Sequence, residues 1–145
     1  MLVRLLYASR AVTEIDDAMI ASILESSQKY NAEHGITGIL CTYCKGNLFL
    51  QVLEGSRAAV NVLYATIVRD PRHRDVTLLD YAEIAERRFM NWRMGSVNLS
   101  RVNLGTVLRF SETAVLDPFS MSGQASLALL EELTNTAAIV SREGA

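Results

Sequence analysis

A tyrosine and a glutamine stand where the pattern asks for a core. Residues 2–9 and 47–53 read as strands, and strand side chains alternate between faces. Val3, Leu5, Tyr7 and Ser9 share one face of the first. Asn47, Phe49, Gln51 and Leu53 share one face of the second, so Gln51 sits inside an apolar row. A buried primary amide has two donors and two lone pairs to satisfy. Leaving one such group unpaired costs on the order of 1–3 kcal/mol. Tyr7, on a neighbouring strand, is one candidate partner; backbone is the ordinary alternative.

A second polar intrusion lies on a helix spanning 13–34. Its stripe begins Ile15, Met19, Ile23, and the same face then carries Ser26 or Ser27, Tyr30 and Asn31. That change suggests a polar ligand edge or a wet rim, and breaks in local consistency tend to mark functional sites. The run Arg69-Asp70-Pro71-Arg72-His73-Arg74 reads either as a solvated helix exit or as a cationic rim for a phosphate or carbonyl.

Other chemistries lack their parts. Cys41 and Cys44 form a C-x-x-C, but in a strand the two thiols point to opposite faces. Only His34 and His73 remain to complete a zinc site. Glu54-Gly55-Ser56 lacks the phosphate-loop and dinucleotide spacings. No nucleophile–base set is evident, so the expectation is a protein that is not an enzyme.

The elements that must position these residues follow from periodicity. The strand at 2–9 precedes a helix capped by Thr13, with Asp16 and Asp17 in its first turn. Gly35 stops that helix. Strands at 36–43 and 47–53 flank a turn at Lys45-Gly46. Ser56 caps a second helix with the stripe Val60, Leu63, Tyr64, Ile67, ended by Asp70-Pro71. Strands at 76–84 and 94–98 complete the order β-α-β-β-α-β-β. This predicts an α+β, ferredoxin-like sheet with both helices on one face. Beyond it, helices are expected at 102–110 and 123–140, with Leu127, Leu130, Leu133 and Ala137 at helical spacing. They either close the domain's own second face or meet a partner.

Composition narrows the class. The chain has 145 residues, 50% hydrophobic, with 14 basic and 16 acidic side chains. That suits one soluble domain and leaves no electrostatic footprint for nucleic acid. No apolar run approaches the roughly 20 residues that span a bilayer. A cytoplasmic protein without membrane attachment is expected.

Taken in order, the motifs resemble the BLUF family, the sensors of blue light using FAD. The matching segments are Leu5-Leu6-Tyr7-Ala8-Ser9, Ser27-Gln28-Lys29-Tyr30-Asn31, Gly35-Ile36-Thr37-Gly38-Ile39-Leu40 and Phe49-Leu50-Gln51-Val52-Leu53-Glu54-Gly55. Arg69-Asp70-Pro71-Arg72-His73 and Arg87-Arg88-Phe89-Met90-Asn91-Trp92-Arg93-Met94 follow. The likeness implies a photosensor domain over 1–98 and a helical extension over 99–145 serving output or oligomerisation. It implies FAD between the two helices, held by Asn31 and Gln51, with Tyr7 bonded to Gln51. Ser9 and Trp92 would lie near that pair, with Met94 as the alternative neighbour. Ile23, Ser27, Phe49 and Ile67 would line the ring; Arg72 and His73 would flank it, and Asp70 would sit toward the ribityl side.

The resemblance implies that light moves an electron and a proton from Tyr7, the proton by way of Gln51, and leaves the amide reoriented. A glutamine suits this, since its amide has a donor end and an acceptor end. One departure is a hairpin between Thr37 and Gln51 that looks two residues longer than the family's common form; an even insertion keeps Gln51 on its face. With about 47 residues after position 98, output is expected through a separate signalling protein, such as a cyclic-nucleotide enzyme or a response-regulator-like protein. A homo-oligomer is expected. The competing expectation is a ferredoxin-like binding module that is not photoactive.

Overall fold

The computed structural model describes residues 1–135. β1 (Leu2–Ala11), β2 (Thr37–Tyr43), β3 (Leu48–Ser56), β4 (His73–Ile84) and β5 (Gly95–Asn98) form one sheet in the order β4-β1-β3-β2-β5. Neighbours are antiparallel except β2 and β5, which run parallel. The first four strands, with α1 (Asp17–His34) and α2 (Arg57–Arg69), make the expected ferredoxin-like unit. β5 extends it past β2.

Both faces of the sheet are covered. Val3, Leu5, Tyr7, Leu40, Phe49 and Leu53 pack under α1 and α2, together with Ile23, Val60 and Met94. Leu6, Ala8, Ile39, Leu50, Val52 and Val97 form the opposite core with Phe89 and Trp92. Its cover is α3 (Leu104–Phe110) and α4 (Gly123–Thr134), which contribute Val107, Leu129, Leu130 and Leu133. The C-terminal helices therefore close the second face. Residues 136–140 of the expected last helix, Ala137 among them, lie outside the described residues.

Several boundaries differ from expectation for local reasons. Asp16, not Thr13, caps α1: its carboxylate accepts the Met19 amide at 2.7 Å. Thr13 stays in the preceding connection, where its carbonyl accepts from Asn47 Nδ2 at 2.9 Å. Asn47 is not a strand residue; it takes φ 51° in the hairpin turn. From there its side chain ties down Ala11, Thr13 and Ile15. β4 begins at His73 rather than at residue 76, because pairing with β1 resumes beyond a bulge. The ladder pairs Ala8 with Thr77 and Arg10 with Arg74, so two β4 residues oppose Ser9. One of them, Asp75, takes φ 54°. Gly35 and Ser56 cap α1 and α2 as the sequence predicts. Among the described residues no helix is long and apolar enough to cross a membrane.

A buried ion pair sets the connection from β4 to β5. Glu54, fully buried, accepts from Arg4 Nε at 2.8 Å and from the Phe89 amide at 2.7 Å. The Arg88 amide donates to the same carboxylate at 3.1 Å. Arg87 donates to Gly35 O and Thr37 Oγ1, and the Arg88 side chain pairs with Glu131 on α4. A buried carboxylate satisfied by charge-assisted and backbone donors is a rigid anchor.

Candidate functional site

A cavity of about 280 Å³ opens between the two helices. α1 supplies Ile23, Ser26, Ser27, Tyr30 and Asn31, and α2 supplies Leu63, Thr66 and Ile67. Tyr7, Leu40 and Gln51 rise from the strands; Asp70, Arg72 and His73 follow α2. The chamber is mixed: aliphatic walls with amides and hydroxyls set into them. Its volume lies just below the roughly 300–1,000 Å³ usual for ligand pockets.

Tyr7 and Gln51 face each other directly across β1 and β3. The Tyr7 hydroxyl donates to Gln51 Oε1, and Gln51 Nε2 donates to Met94 Sδ at 3.2 Å. Both residues are buried. Burial pushes the Tyr7 phenol well above the usual range, with Tyr64 and Asp70 adding to it, so the ring is a fixed donor. That makes Oε1 the matching end of the amide.

Asn31 donates from Nδ2 to Arg93 O at 2.5 Å, and Gln28 donates to Met94 O at 3.2 Å. The polar end of α1 thus holds the backbone that carries Met94. Asn31 Oδ1 is buried without a hydrogen-bond partner among the described residues. An orphaned acceptor on a cavity-lining residue needs a donor, and an N–H on a ring ligand would supply one.

At the other end Arg72 forks onto Asp70, with Nε at 3.1 Å from both oxygens and an Nη at 2.7 Å from Oδ2. That bonding holds the Asp70 carboxyl below its ordinary range and raises Arg72. Burial pushes His73 down, outweighing the pull of Asp70. Its ring centroid is 5.0 Å from that of Phe49, and its Nδ1 is 2.8 Å from Ser9 Oγ.

The expected site residues fall into three groups. Tyr7, Ile23, Ser27, Asn31, Gln51, Ile67, Asp70, Arg72 and His73 all line the cavity. Phe49 and Met94 touch it at one remove, Phe49 beneath His73 and Met94 against Gln51. Ser9 and Trp92 are not among the lining residues, and of the alternatives Trp92 and Met94 it is Met94 that lies beside Gln51. Ser9 bonds His73 rather than the Tyr7–Gln51 pair. Trp92 packs in the opposite core, with Nε1 buried and without a hydrogen-bond partner among the described residues. A strand would place residues 92 and 94 on one face, but the chain turns at 89–92 and β5 begins only at Gly95. Ser26 and Tyr30, on the polar face of α1, line the cavity too, whereas Leu40, Leu63 and Thr66 were not expected as lining. The register shows why Leu40 belongs: it pairs opposite Gln51. Cys41 is buried and Cys44 exposed, so the thiols do diverge.

The family model for BLUF, "Sensors of blue-light using FAD", matches residues 2–95. Photoactivated adenylate cyclase subunit beta of Euglena gracilis is 36% identical over 96 residues, which is 66% of this chain and 11% of that protein. The chain therefore spans about a tenth of the length of that curated relative. Two solved structures match over nearly their whole length. BlsA in its photo-activated state superposes with a TM-score of 0.82 at 30% identity, covering 95% of this chain and 98% of that one. BlrB, a BLUF protein in its dark state, gives 0.76 at 32% identity, covering 92% and 94%. The TM-scores carry the likeness beyond the cavity to the C-terminal helices. The tyrosine–glutamine pair thus lies in a fold whose matched model is defined by FAD and blue light, and the chain belongs to the BLUF family.

Proposed function

We propose that this chain is a blue-light sensor module in which Tyr7, Gln51 and Met94 form the switch beside a bound FAD. The observation that carries it is one amide, Gln51, held at both ends inside the cavity: Tyr7 on its oxygen and Met94 on its nitrogen. When bound, the flavin supplies the chromophore and an electron acceptor. Asn31 Oδ1 and Gln51 would bind its polar edge, Ile23, Ser27 and Ile67 its ring, and Arg72 and His73 its flank, with Asp70 orienting Arg72.

Tyr7 enters the cycle as a neutral phenol with its proton already aimed at Gln51 Oε1. A proton passed along that bond and returned lets the amide turn. The turned amide offers Nε2 to the phenol oxygen and Oε1 to the Met94 side. Each new pairing is donor to acceptor for the phenol but not for the thioether, which has no proton to give. Reorientation at Gln51 therefore releases the Met94 side chain, just ahead of β5, while α1 keeps its hold on the backbone there.

The module acts as a sensor rather than a catalyst, over residues 1–98, with 99–145 as its output or self-association segment. Its partner is a separate signalling protein, a cyclic-nucleotide enzyme being one reasonable class given the cyclase relative. A cytoplasmic site of action fits the absence of a spanning helix among the described residues. The purified protein is expected to be yellow, to release FAD on denaturation, and to shift its absorption reversibly to the red under blue light. A colourless protein that takes up no added FAD would overturn the reading.

A further inference from the structure

Ser9 has one side-chain hydrogen-bond partner among the described residues, and it is a ring nitrogen. Its Oγ is 2.8 Å from His73 Nδ1, and Ser9 is fully buried. A buried hydroxyl proton without an acceptor is costlier than a spare lone pair. The proton therefore points at Nδ1, the acceptor within reach, and Nδ1 carries none of its own. In a neutral imidazole the proton then resides on Nε2. Burial keeps the ring neutral at pH 7 against the pull of Asp70 and with the help of Arg72, the charged groups beside it.

The ring is also fixed in direction. Phe49 lies against it at a centroid distance of 5.0 Å and Tyr7 meets it edge-on at 6.5 Å. The β1–β4 bulge leaves Ser9 out of the ladder register, with Asp75 at φ 54° opposite. Bulges re-aim side chains next to functional sites. His73 also lines the cavity.

We propose that Ser9 locks His73 in the Nε2–H tautomer, so that the ring presents a hydrogen-bond donor to an acceptor atom of the bound cofactor. Ser9 is then a positioning residue for His73, not a neighbour of the Tyr7–Gln51 pair. The choice of FAD as that ligand rests on the reading above; the tautomer does not.

The chain contains two histidines, and the second is a built-in reference. His34 Nδ1 is 2.8 Å from Tyr30 O, and a carbonyl only accepts, so His34 is protonated at Nδ1. The two rings should show opposite tautomers. Long-range ¹H–¹⁵N correlation on ¹⁵N-histidine-labelled, FAD-loaded protein at pH 7.5 reads this directly, with His34→Gln assigning the signals. The expected result is His73 as the Nε2–H tautomer. A neutral His73 protonated at Nδ1, or an imidazolium, overturns the proposal. Ser9→Ala is expected to give a tautomer mixture at His73 and to weaken FAD binding roughly three- to tenfold, the loss of one hydrogen bond. Ser9→Thr, which keeps the hydroxyl, should restore both. An unchanged His73 spectrum in Ser9→Ala also overturns the lock. A protein that binds no FAD yet keeps the Nε2–H signal would sink the cofactor assignment and leave the lock standing.

Discussion

Gln51 Nε2 lies 3.2 Å from the Met94 sulfur, while Tyr7 holds the other end of the same amide. Met94 is 43 residues away in sequence, yet fully buried against it. A thioether is a weak acceptor, so this contact favours one amide orientation without fixing it permanently. Met94→Leu conserves volume but strips the buried Gln51 Nε2 of its acceptor, so it should cost about 1–3 kcal/mol of stability. It removes the acceptor that favours the resting orientation. Recovery after a light pulse is therefore expected to slow several-fold, measured by absorption in the dark. Unchanged recovery would show that the sulfur plays no part.

Tyr7→Phe removes the donor to Gln51 Oε1 and leaves the rest of the ring. The variant should retain FAD and lose the red shift under blue light. The unpaired amide oxygen should lower stability by about 1–3 kcal/mol. A normal photocycle in this variant would refute the role given to the phenol.

The pH dependence follows from two groups. His73 is held below its ordinary pKa by burial, so below about pH 6.5 the unfolded chain takes up a proton that the folded ring resists. Stability should fall as pH drops through that window. His73→Gln should flatten this slope in urea unfolding at pH 7.5, 6.5 and 5.5. Asp70 has the lowered pKa of a paired carboxylate. Its contribution is complete above the ordinary value of about 3.9 and is lost as pH falls through the folded value, a separate and more acidic step.

Glu54→Ala should be among the most damaging single changes, at about 3–5 kcal/mol, because it strands the buried Arg4 charge. It also frees the Arg88 and Phe89 amides. Glu83→Ala, at the exposed Arg57–Glu83 pair, should cost at most about 1 kcal/mol. Equal unfolding midpoints for the two variants would contradict the anchor.

Gly123→Ala tests the cover on the second face. A Cβ there would lie 2.0 Å from Leu79 O, backbone against backbone. α4 must shift away from β4, so its amides should exchange hydrogen faster, while FAD binding across the sheet is retained. Unaltered exchange along α4 would contradict the close packing.

Much of the fold was legible because its signals are local. Gly35 and Ser56 act through their own backbone, and the alternation of β1 and β3 put Tyr7 and Gln51 on one face. The register pairs the two residues. What escaped was set by non-local pairing. Ser9's partner, 64 residues along the chain, is set by the β1–β4 bulge. Trp92 and Met94 were left as alternative neighbours of Gln51 because the choice depends on how the chain turns before β5, and Met94 is the one beside the amide. Asn47 looked like a strand residue, and only its left-handed φ, 51°, shows it to be a turn that braces the start of α1. The FAD and the light were never in the periodicity; they came from the resemblance and from the family match.

The five-stranded sheet is also a partition. The cavity and the C-terminal helices lie on opposite sides of it, and the intervening strands are packed on both faces. At the margin one strap joins the two sides: Met94 lies on the chamber side, and Trp92 and Phe89 on the other. Its near end is gripped by α1 through Asn31 and Gln28, its far end by Glu54. A strap fastened at both ends ties the two cores together at that margin, so neither can repack there without disturbing the other.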